Sequence, residues 1–280
     1  MRVLVTGAAG QLGRDTAERF MASGHEVVAA GHQELDITRR DQVLGAIGSI
    51  RPDVVVNCAA FTAVDACESS ADRAYRVNAL AVRHLAEATR RFAAHLCQVS
   101  TDYVFSGDQP EPYHEWDRPD PLSVYGASKL AGEQEAGGLA TVVRTSWLSG
   151  RHGSNMVGTV LGLASRGGPM RFVDDQRGSP SFTPDVAAVI ERLCVDRRPG
   201  LYHVTNQGSV SWYEFAQKIM IAAGHDPGRV EPIATADLNP PRPAPRPSNS
   251  VLENRALTLA GLELPPDFRY SLRRLLAELL

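Results

Sequence analysis

The first half of the chain alternates short apolar runs with longer stretches in which apolar residues recur every three or four positions. The apolar runs predict β-strands, and the longer stretches predict helices. The predicted strands are residues 3–6, 26–30, 53–57 and 95–100, and the predicted helices are residues 12–22, 40–50 and 72–92. Because apolar and polar residues do not alternate within the strands, both faces of each strand are expected to be buried. The pattern predicts an α/β fold, a doubly wound parallel sheet with right-handed crossovers.

The second half of the chain is less regular and is interrupted by prolines. Residues 106–122 contain four prolines and predict a long loop. The regular elements expected in this half are a helix over 123–137 and strands over 141–146 and 201–204. Ser211 and Glu214 have the spacing of a capping box at a helix start. The proline-rich residues 240–247 cannot form a helix or a central strand, so we expect an extended segment on the surface or across a cleft.

Composition narrows the class of protein. The 280 residues are 43% hydrophobic and carry a formal net charge of −3, so neither a nucleic acid nor a membrane surface is an expected partner. We find no targeting segment and no apolar run long enough to cross a bilayer, which predicts a cytoplasmic protein, either a monomer or a homodimer. The widely spaced Cys58, Cys67, Cys97 and Cys194 are interpreted as reduced packing residues, and no cluster of metal ligands is evident.

A glycine-rich segment follows the first predicted strand. Gly7, Gly10 and Gly13 precede a helix, where glycines let the backbone approach a pyrophosphate and the helix N-terminus supplies free N–H groups. Their position in a βαβ unit indicates dinucleotide binding by a Rossmann-type fold.

The end of the second strand bears on the choice of cofactor. An acidic residue there usually binds the ribose 2′-hydroxyl of NAD. The sequence reads Ala-Gly-His at this point, with no acid before Glu34, so NADPH is slightly favoured over NADH. Asp36 and Ile37 are candidates for contacts with adenine, although Asp36 could equally cap the next helix.

Tyr125 and Lys129 are spaced to lie on one face of a helix. A ketone that accepts hydride also needs a proton, and a nearby ammonium stabilises a phenolate and lowers the pKa of a tyrosine toward the working pH. Lys129 is one of only two lysines in the chain, which argues against a chance pairing. Thr101, or Ser100 as an alternative, follows a buried strand at the end where ligands bind and could hydrogen-bond the substrate carbonyl.

These features predict how the chain is divided. We expect residues 1–146 to form a dinucleotide-binding domain, with residues 183–206 returning to it. Residues 147–182 and 207–280 are expected to form a smaller C-terminal substrate-binding lobe.

At these residues the sequence resembles the extended short-chain dehydrogenase/reductase superfamily and, within it, the dTDP-4-dehydrorhamnose reductase family. The resemblance covers almost the whole chain. The stretches that carry it are residues 5–13, 57–65, 77–78, 100–105, 125–129, 144–147, 174–180 and 246–250. The stretches 174–180 and 246–250 are more specific to the rhamnose reductases than the others.

The resemblance implies the reduction of dTDP-4-keto-L-rhamnose to dTDP-L-rhamnose with NADPH or NADH. It makes Tyr125 the proton donor, Lys129 its activator and a ribose ligand, and Thr101 the partner of the carbonyl. Taken together with the residues argued above, the candidate cofactor residues are Gly7, Gly10, Gln11, Leu12, Asp36, Ile37, Ala59, Ala60, Phe61, Thr62, Tyr125 and Lys129. The candidate substrate residues are Thr101, Asp102, Tyr103 and Trp147.

Several alternatives stay open. Trp147 could be a core residue and not a sugar contact. Cys58, Phe61 and residues 149–153 depart from the family pattern, which bears on the substrate pocket. The chain could act on another nucleotide-linked keto sugar as a reductase or epimerase, or it could be a non-catalytic NADP-binding regulatory subunit. An intact set of Tyr125, Lys129 and Thr101 argues against the regulatory subunit.

Overall fold

A computed structural model describes residues 1–280. Its centre is a six-stranded parallel sheet of β1 (Arg2–Thr6), β2 (Glu26–Ala30), β3 (Val54–Asn57), β4 (His95–Thr101), β5 (Thr141–Thr145) and β10 (Gly200–His203). The order of the strands across the sheet is β10-β5-β4-β3-β1-β2. The predicted α/β class and parallel sheet are confirmed.

Helices cover both faces of this sheet. They are α1 (Gln11–Ala22), α2 (Arg40–Ile50), α5 (Ala81–Phe92), α6 (Val124–Ala136) and α8 (Thr183–Val195), while the short helices α3 (Val64–Ser69) and α4 (Ala71–Tyr75) pack against α6. Val3 and Val5 of β1 belong to one core cluster, which includes residues of α1 and α8, while Leu4 belongs to the cluster on the other face with residues of α2 and α5. Both faces of the strand are therefore buried, which is why its sequence does not alternate.

The helix predicted over 72–92 is interrupted. A π-helical turn, Arg76–Leu80, joins α4 to α5, and the short helix α3 precedes them. Asn78 lies in this turn and is almost fully buried. Hydrophobic periodicity cannot reveal a single π turn, because the apolar pattern continues on either side of it.

The remaining elements form a smaller group beside the sheet. They are β6 (Leu148–Ser149), α7 (Met156–Arg166), β7 (Met170–Val173), β8 (Arg177–Gly178), β9 (Ser181–Phe182), β11 (Val210–Ser211), α9 (Trp212–Ala222), β12 (Val230–Ile233) and α11 (Phe268–Leu279). The helix α10 (Arg255–Leu259) instead packs back against β10, and its Leu257 belongs to the core cluster that includes β1, α1 and α8. A third core cluster, which includes Phe182, Phe215 and Phe268, holds much of this group together. The helices α3, α7, α8, α10 and α11 and the short strands were not predicted from the sequence, but the capping box of Ser211 and Glu214 is present at the start of α9.

The proline-rich residues 240–247 contain no helix or strand, as predicted. The segment is held against α3, since Arg246 donates to both carboxylate oxygens of Asp65, at 3.0 and 2.8 Å. Ser248, just after it, donates to the carbonyl of Gly107 in the loop between β4 and α6. None of the helices combines the length and the apolar character that crossing a membrane requires.

Candidate active site

The cofactor end of the site is built where the strand order reverses, between β1 and β3. Gly7 follows β1 with φ of +67°, and a Cβ at this residue would lie 2.5 Å from the backbone nitrogen of Ala59, after β3. Only glycine fits this close approach. Gly10 caps α1 without a side-chain hydrogen bond, so the N–H groups of the first turn of α1 have no partner from a cap. This arrangement suits an anion such as a pyrophosphate.

The segment after β2 forms one wall of the same cavity. The Asp36 carboxylate accepts hydrogen bonds from the backbone nitrogen and the hydroxyl of Thr38, at 3.0 and 2.7 Å. These hydrogen bonds lower the pKa of Asp36 below its ordinary value. The N-cap of α2 is Arg39, with no side-chain cap, so the alternative that Asp36 caps the helix is wrong.

The connection after β3, residues 58–62, is fixed by the π turn. Asn78 accepts a hydrogen bond from the backbone nitrogen of Phe61 at 2.8 Å and donates to its carbonyl at 3.1 Å. It also donates to Ser128 on α6 at 2.9 Å, so it links the cofactor wall to the helix that carries Tyr125. The guanidinium of Arg73 lies 4.5 Å from the centre of the Phe61 ring. Asn78 lies in one of the stretches that carry the family resemblance, but the sequence did not predict this linking role.

Lys129 and Tyr125 are buried on α6 against β4. Lys129 Nζ donates to the carbonyl of Val99 at 2.6 Å. Burial lowers the pKa of Lys129 to about 8, although the nearby Glu133 carboxylate opposes the change. Burial also raises the pKa of the Tyr125 phenol, and the Thr101 hydroxyl partly offsets this. The expectation that the Lys129 ammonium lowers this pKa is wrong here, since Lys129 is not among the groups that lower it and its Nζ bonds to the carbonyl of Val99. At neutral pH the pair therefore consists of a protonated phenol and an ammonium.

A short 3₁₀ turn, Asp102–Val104, follows β4. Thr101 Oγ1 donates to Asp102 Oδ1 at 2.9 Å and accepts from the backbone nitrogen of Tyr103 at 3.2 Å. Asp102 is 2% exposed, and burial raises its pKa to about 6, although the hydroxyls of Ser250 and Thr101 oppose the change. The hydroxyl of Ser100 instead donates to Glu133 at 2.5 Å, and Glu133 also forms an ion pair with Arg144.

Two tryptophans form the wall toward the C-terminal group. The rings of Trp147 and Trp212 are stacked with centroids 3.5 Å apart and planes 7° from parallel. Trp147 is half-buried against the third core cluster and also lines the cavity, so it is a packing residue and is also placed where a sugar could contact it. Trp212 was not predicted, because no local pattern links the first residue of α9 to Trp147.

All the predicted site residues line one cavity of about 650 Å³. The cavity is lined by the glycine loop, Asp36 and Ile37, residues 59–62, residues 101–103, Tyr125, Lys129 and Trp147. Cys58, interpreted as a packing residue, also lines this cavity, whereas Cys67, Cys97 and Cys194 are free thiols in the core.

One cluster of potential metal ligands was not predicted from the sequence. Asp15, Glu18 and His152 bring ligand atoms within 4.8 Å of one another outside this cavity. Asp15 and Glu18 are on α1, while His152 follows β6, so only the tertiary structure brings the three together.

Comparison with known proteins places this site in a family. The model of the RmlD substrate binding domain matches residues 1–280. A probable dTDP-4,6-dihydroxy-2-methyloxan-3-one 4-ketoreductase of Streptomyces antibioticus is 44% identical over 100% of this chain and 96% of its own length. A dTDP-4-dehydrorhamnose reductase of Aggregatibacter actinomycetemcomitans is 40% identical over 99% of this chain and 98% of its own length.

The crystal structure of a dTDP-4-dehydrorhamnose reductase of Bacillus anthracis, in complex with NADP, agrees with the fold. It superposes with a TM-score of 0.94 at 39% identity, covering 99% of both chains. The chain therefore belongs to the family of the RmlD substrate binding domain, together with these dTDP-4-dehydrorhamnose reductases.

Proposed function

We propose that the chain is an oxidoreductase that reduces the 4-keto group of dTDP-4-dehydro-L-rhamnose to give dTDP-L-rhamnose, with NADPH or NADH as the reductant. The observation that carries this proposal is that Tyr125, Lys129 and Thr101 line the same cavity as the glycine loop. The names of the relatives support the reaction and the dTDP-linked sugar.

The cavity fits a nicotinamide dinucleotide. The uncapped N-terminus of α1 would bind the pyrophosphate through the backbone of Gly10, Gln11 and Leu12. The adenosine would lie toward Asp36 and Ile37, and the remainder would pass residues 59–62 on its way to Tyr125 and Lys129. When bound, the cofactor supplies the hydride for the reduction.

The protein's own groups manage the proton. Burial keeps the Tyr125 phenol protonated at neutral pH, so it is ready to donate to the carbonyl oxygen as negative charge develops there. The Lys129 ammonium stabilises the phenolate that remains. Thr101 is the partner of the carbonyl oxygen in this proposal, since its hydroxyl lies beside the Tyr125 phenol, whereas Ser100 faces the Glu133–Arg144 ion pair. The Thr101 hydroxyl, which donates to Asp102 in this structure, would turn to the substrate.

Asp102, Tyr103 and Trp147 are the proposed contacts of the sugar. Trp147 offers a large apolar ring beside a pyranose, and its orientation is fixed by stacking on Trp212. Asp102 lines the same cavity, where its carboxylate accepts from Thr101 Oγ1 at 2.9 Å.

The proposal keeps the division of the chain into a cofactor domain and a substrate lobe. The cofactor domain is residues 1–146 with residues 183–206, and it is supported by the pairing of β10 with β5 and the packing of α8 in the core cluster that includes α1. The substrate lobe is residues 147–182 and 207–280. The proposal also includes a cytoplasmic location, in keeping with four free thiols, and a monomer or homodimer.

A second candidate is the reduction of another dTDP-linked keto sugar. It is favoured by the Streptomyces antibioticus relative, a probable 4-ketoreductase with a differently named dTDP-linked compound. Both candidates use the same proton donor and cofactor wall, and they differ only in the sugar.

The test is to follow NADPH and NADH absorbance with dTDP-4-keto-L-rhamnose as substrate, for the wild type and Tyr125→Phe. We expect oxidation by the wild type and a loss of about a hundredfold or more in the variant, the lower range for a missing general acid. Tyr270→Phe, at an exposed tyrosine on α11, is the matched control and should keep full activity. Cofactor binding without oxidation would contradict the assignment and would favour another sugar or a regulatory role.

A further inference from the structure

An acidic side chain lies at the end of β2 although the sequence there reads Ala-Gly-His. The backbone nitrogen of Gly31 donates to Glu34 Oε2 at 2.9 Å, and the nitrogen of Leu35 donates to the carbonyl of Gly31 at 3.0 Å. The chain therefore turns back on itself over residues 31–35. The turn brings the Glu34 carboxylate back to the end of β2, although Glu34 lies four residues beyond Ala30 in the sequence.

This carboxylate also lies beside the glycine loop. The nitrogen of Ala8 donates to the carbonyl of Ala30 at 3.1 Å, which ties the loop to the end of β2. A Cβ at Gly31 would lie 2.8 Å from Glu34 Oε2 and 3.5 Å from the Cβ of Ala9. Ala9 and His32 both line the cavity, and the Glu34 carboxylate lies just outside this lining, next to Ala9.

Of the two acids on this segment, only Glu34 bonds to the residue that directly follows β2. Asp36 Oδ1 instead accepts from Thr38 within its own turn. Glu34 is exposed, makes no ion pair and uses only Oε2 in a hydrogen bond within the chain, so Oε1 is available to a ligand. His32 and Arg39 are exposed cationic or potentially cationic groups on the same segment, and they would attract a phosphate.

We infer that Glu34 sets the ratio between NADH and NADPH at this site. Its carboxylate accepts hydrogen bonds from the adenosine ribose hydroxyls of NADH, the task of an acid at the end of the second strand. The same carboxylate repels the 2′-phosphate of NADPH, which His32 and Arg39 attract. The inference rests on the proposed use of a nicotinamide cofactor but not on the identity of the sugar.

The experiment measures dissociation constants of NADH and NADPH for the sugar-free protein by calorimetry. Glu34→Gln removes the charge and keeps a carbonyl acceptor for the nitrogen of Gly31. We expect the affinity ratio to move toward NADPH by about tenfold, because one negative charge near a doubly charged phosphate is lost. Glu26→Gln, at the opposite end of β2, is the matched control and should leave the ratio unchanged.

A ratio within twofold of the wild type in Glu34→Gln would overturn the inference. Equal weakening of both cofactors would also overturn it, since that result would mean that Glu34 only supports the turn. Because binding is measured without sugar, a failure to reduce dTDP-4-keto-L-rhamnose leaves this result unaffected. The two proposals can therefore fail separately.

Discussion

Lys129 is expected to reduce the stability of the folded protein at neutral pH, although it is needed for activity. Burial lowers its pKa from 10.5 to about 8 in the folded protein. Each pKa unit corresponds to about 1.4 kcal/mol, so burying the ammonium costs the folded state about 3 kcal/mol below pH 8. Between pH 8 and 10.5 the unfolded chain binds more protons at this residue, so stability from this group rises with pH and the cost disappears.

Replacing Lys129 by Met removes this cost together with the hydrogen bond to the carbonyl of Val99, whose loss costs about 1–2 kcal/mol. We therefore expect the cofactor-free variant to be more stable than the wild type by about 1–2 kcal/mol at pH 7. At pH 10.5 it should be less stable than the wild type. The variant should also have lost its reductase activity.

The assay is urea unfolding of both proteins at a series of pH values from 7 to 10.5. The pH dependence of the groups common to both proteins cancels in the difference between their free energies of unfolding. This difference therefore isolates the contribution of Lys129. Lys218→Met is the matched control, because Lys218 is the only other lysine and is exposed, and its difference should stay flat. A Lys129→Met difference that does not change with pH would refute this explanation.

Two further variants test the packing around the site. Glu133→Gln leaves the buried Arg144 without its carboxylate partner, and urea unfolding at pH 7 should show a loss of about 3 kcal/mol; a loss below about 1 kcal/mol would mean that the pair is dispensable. Gly7→Ala places a Cβ 2.5 Å from the nitrogen of Ala59, so calorimetry should show at least about tenfold weaker NADPH binding. Gly45→Ala, on α2 with open space around it, is the control for Gly7→Ala, and equal NADPH affinity in the two variants would contradict the steric argument.

Local sequence was sufficient for the part of the site that lies on regular elements. The glycine loop, Thr101 and the Tyr125–Lys129 pair each follow or occupy a strand or helix that the apolar pattern predicts. Because the carboxyl ends of parallel strands meet at one edge, predicting the strands also predicted that these residues would lie close together.

Other contributors depend on contacts between distant segments or on loop geometry. Trp212 reaches the cavity by stacking on Trp147, and no local pattern encodes that pairing. In the sequence, Glu34 lies too far beyond β2 to be assigned as the acid at the strand end. The turn that brings it back to β2 depends on a hydrogen bond from the backbone of Gly31, which no local pattern reveals. The smaller lobe was hardest to predict, since its strands of two to four residues carry little periodicity.

The position of β10 has a consequence for how the protein is assembled during synthesis. This edge strand pairs with β5, but it is translated only after β6, α7, three short strands and the helix α8. Until then β5 is an unpaired edge with free N–H and C=O groups, the kind of surface that promotes association between chains. A nascent or truncated chain ending before residue 200 would therefore be prone to aggregation, and a chaperone that shields β5 would have most effect in that interval.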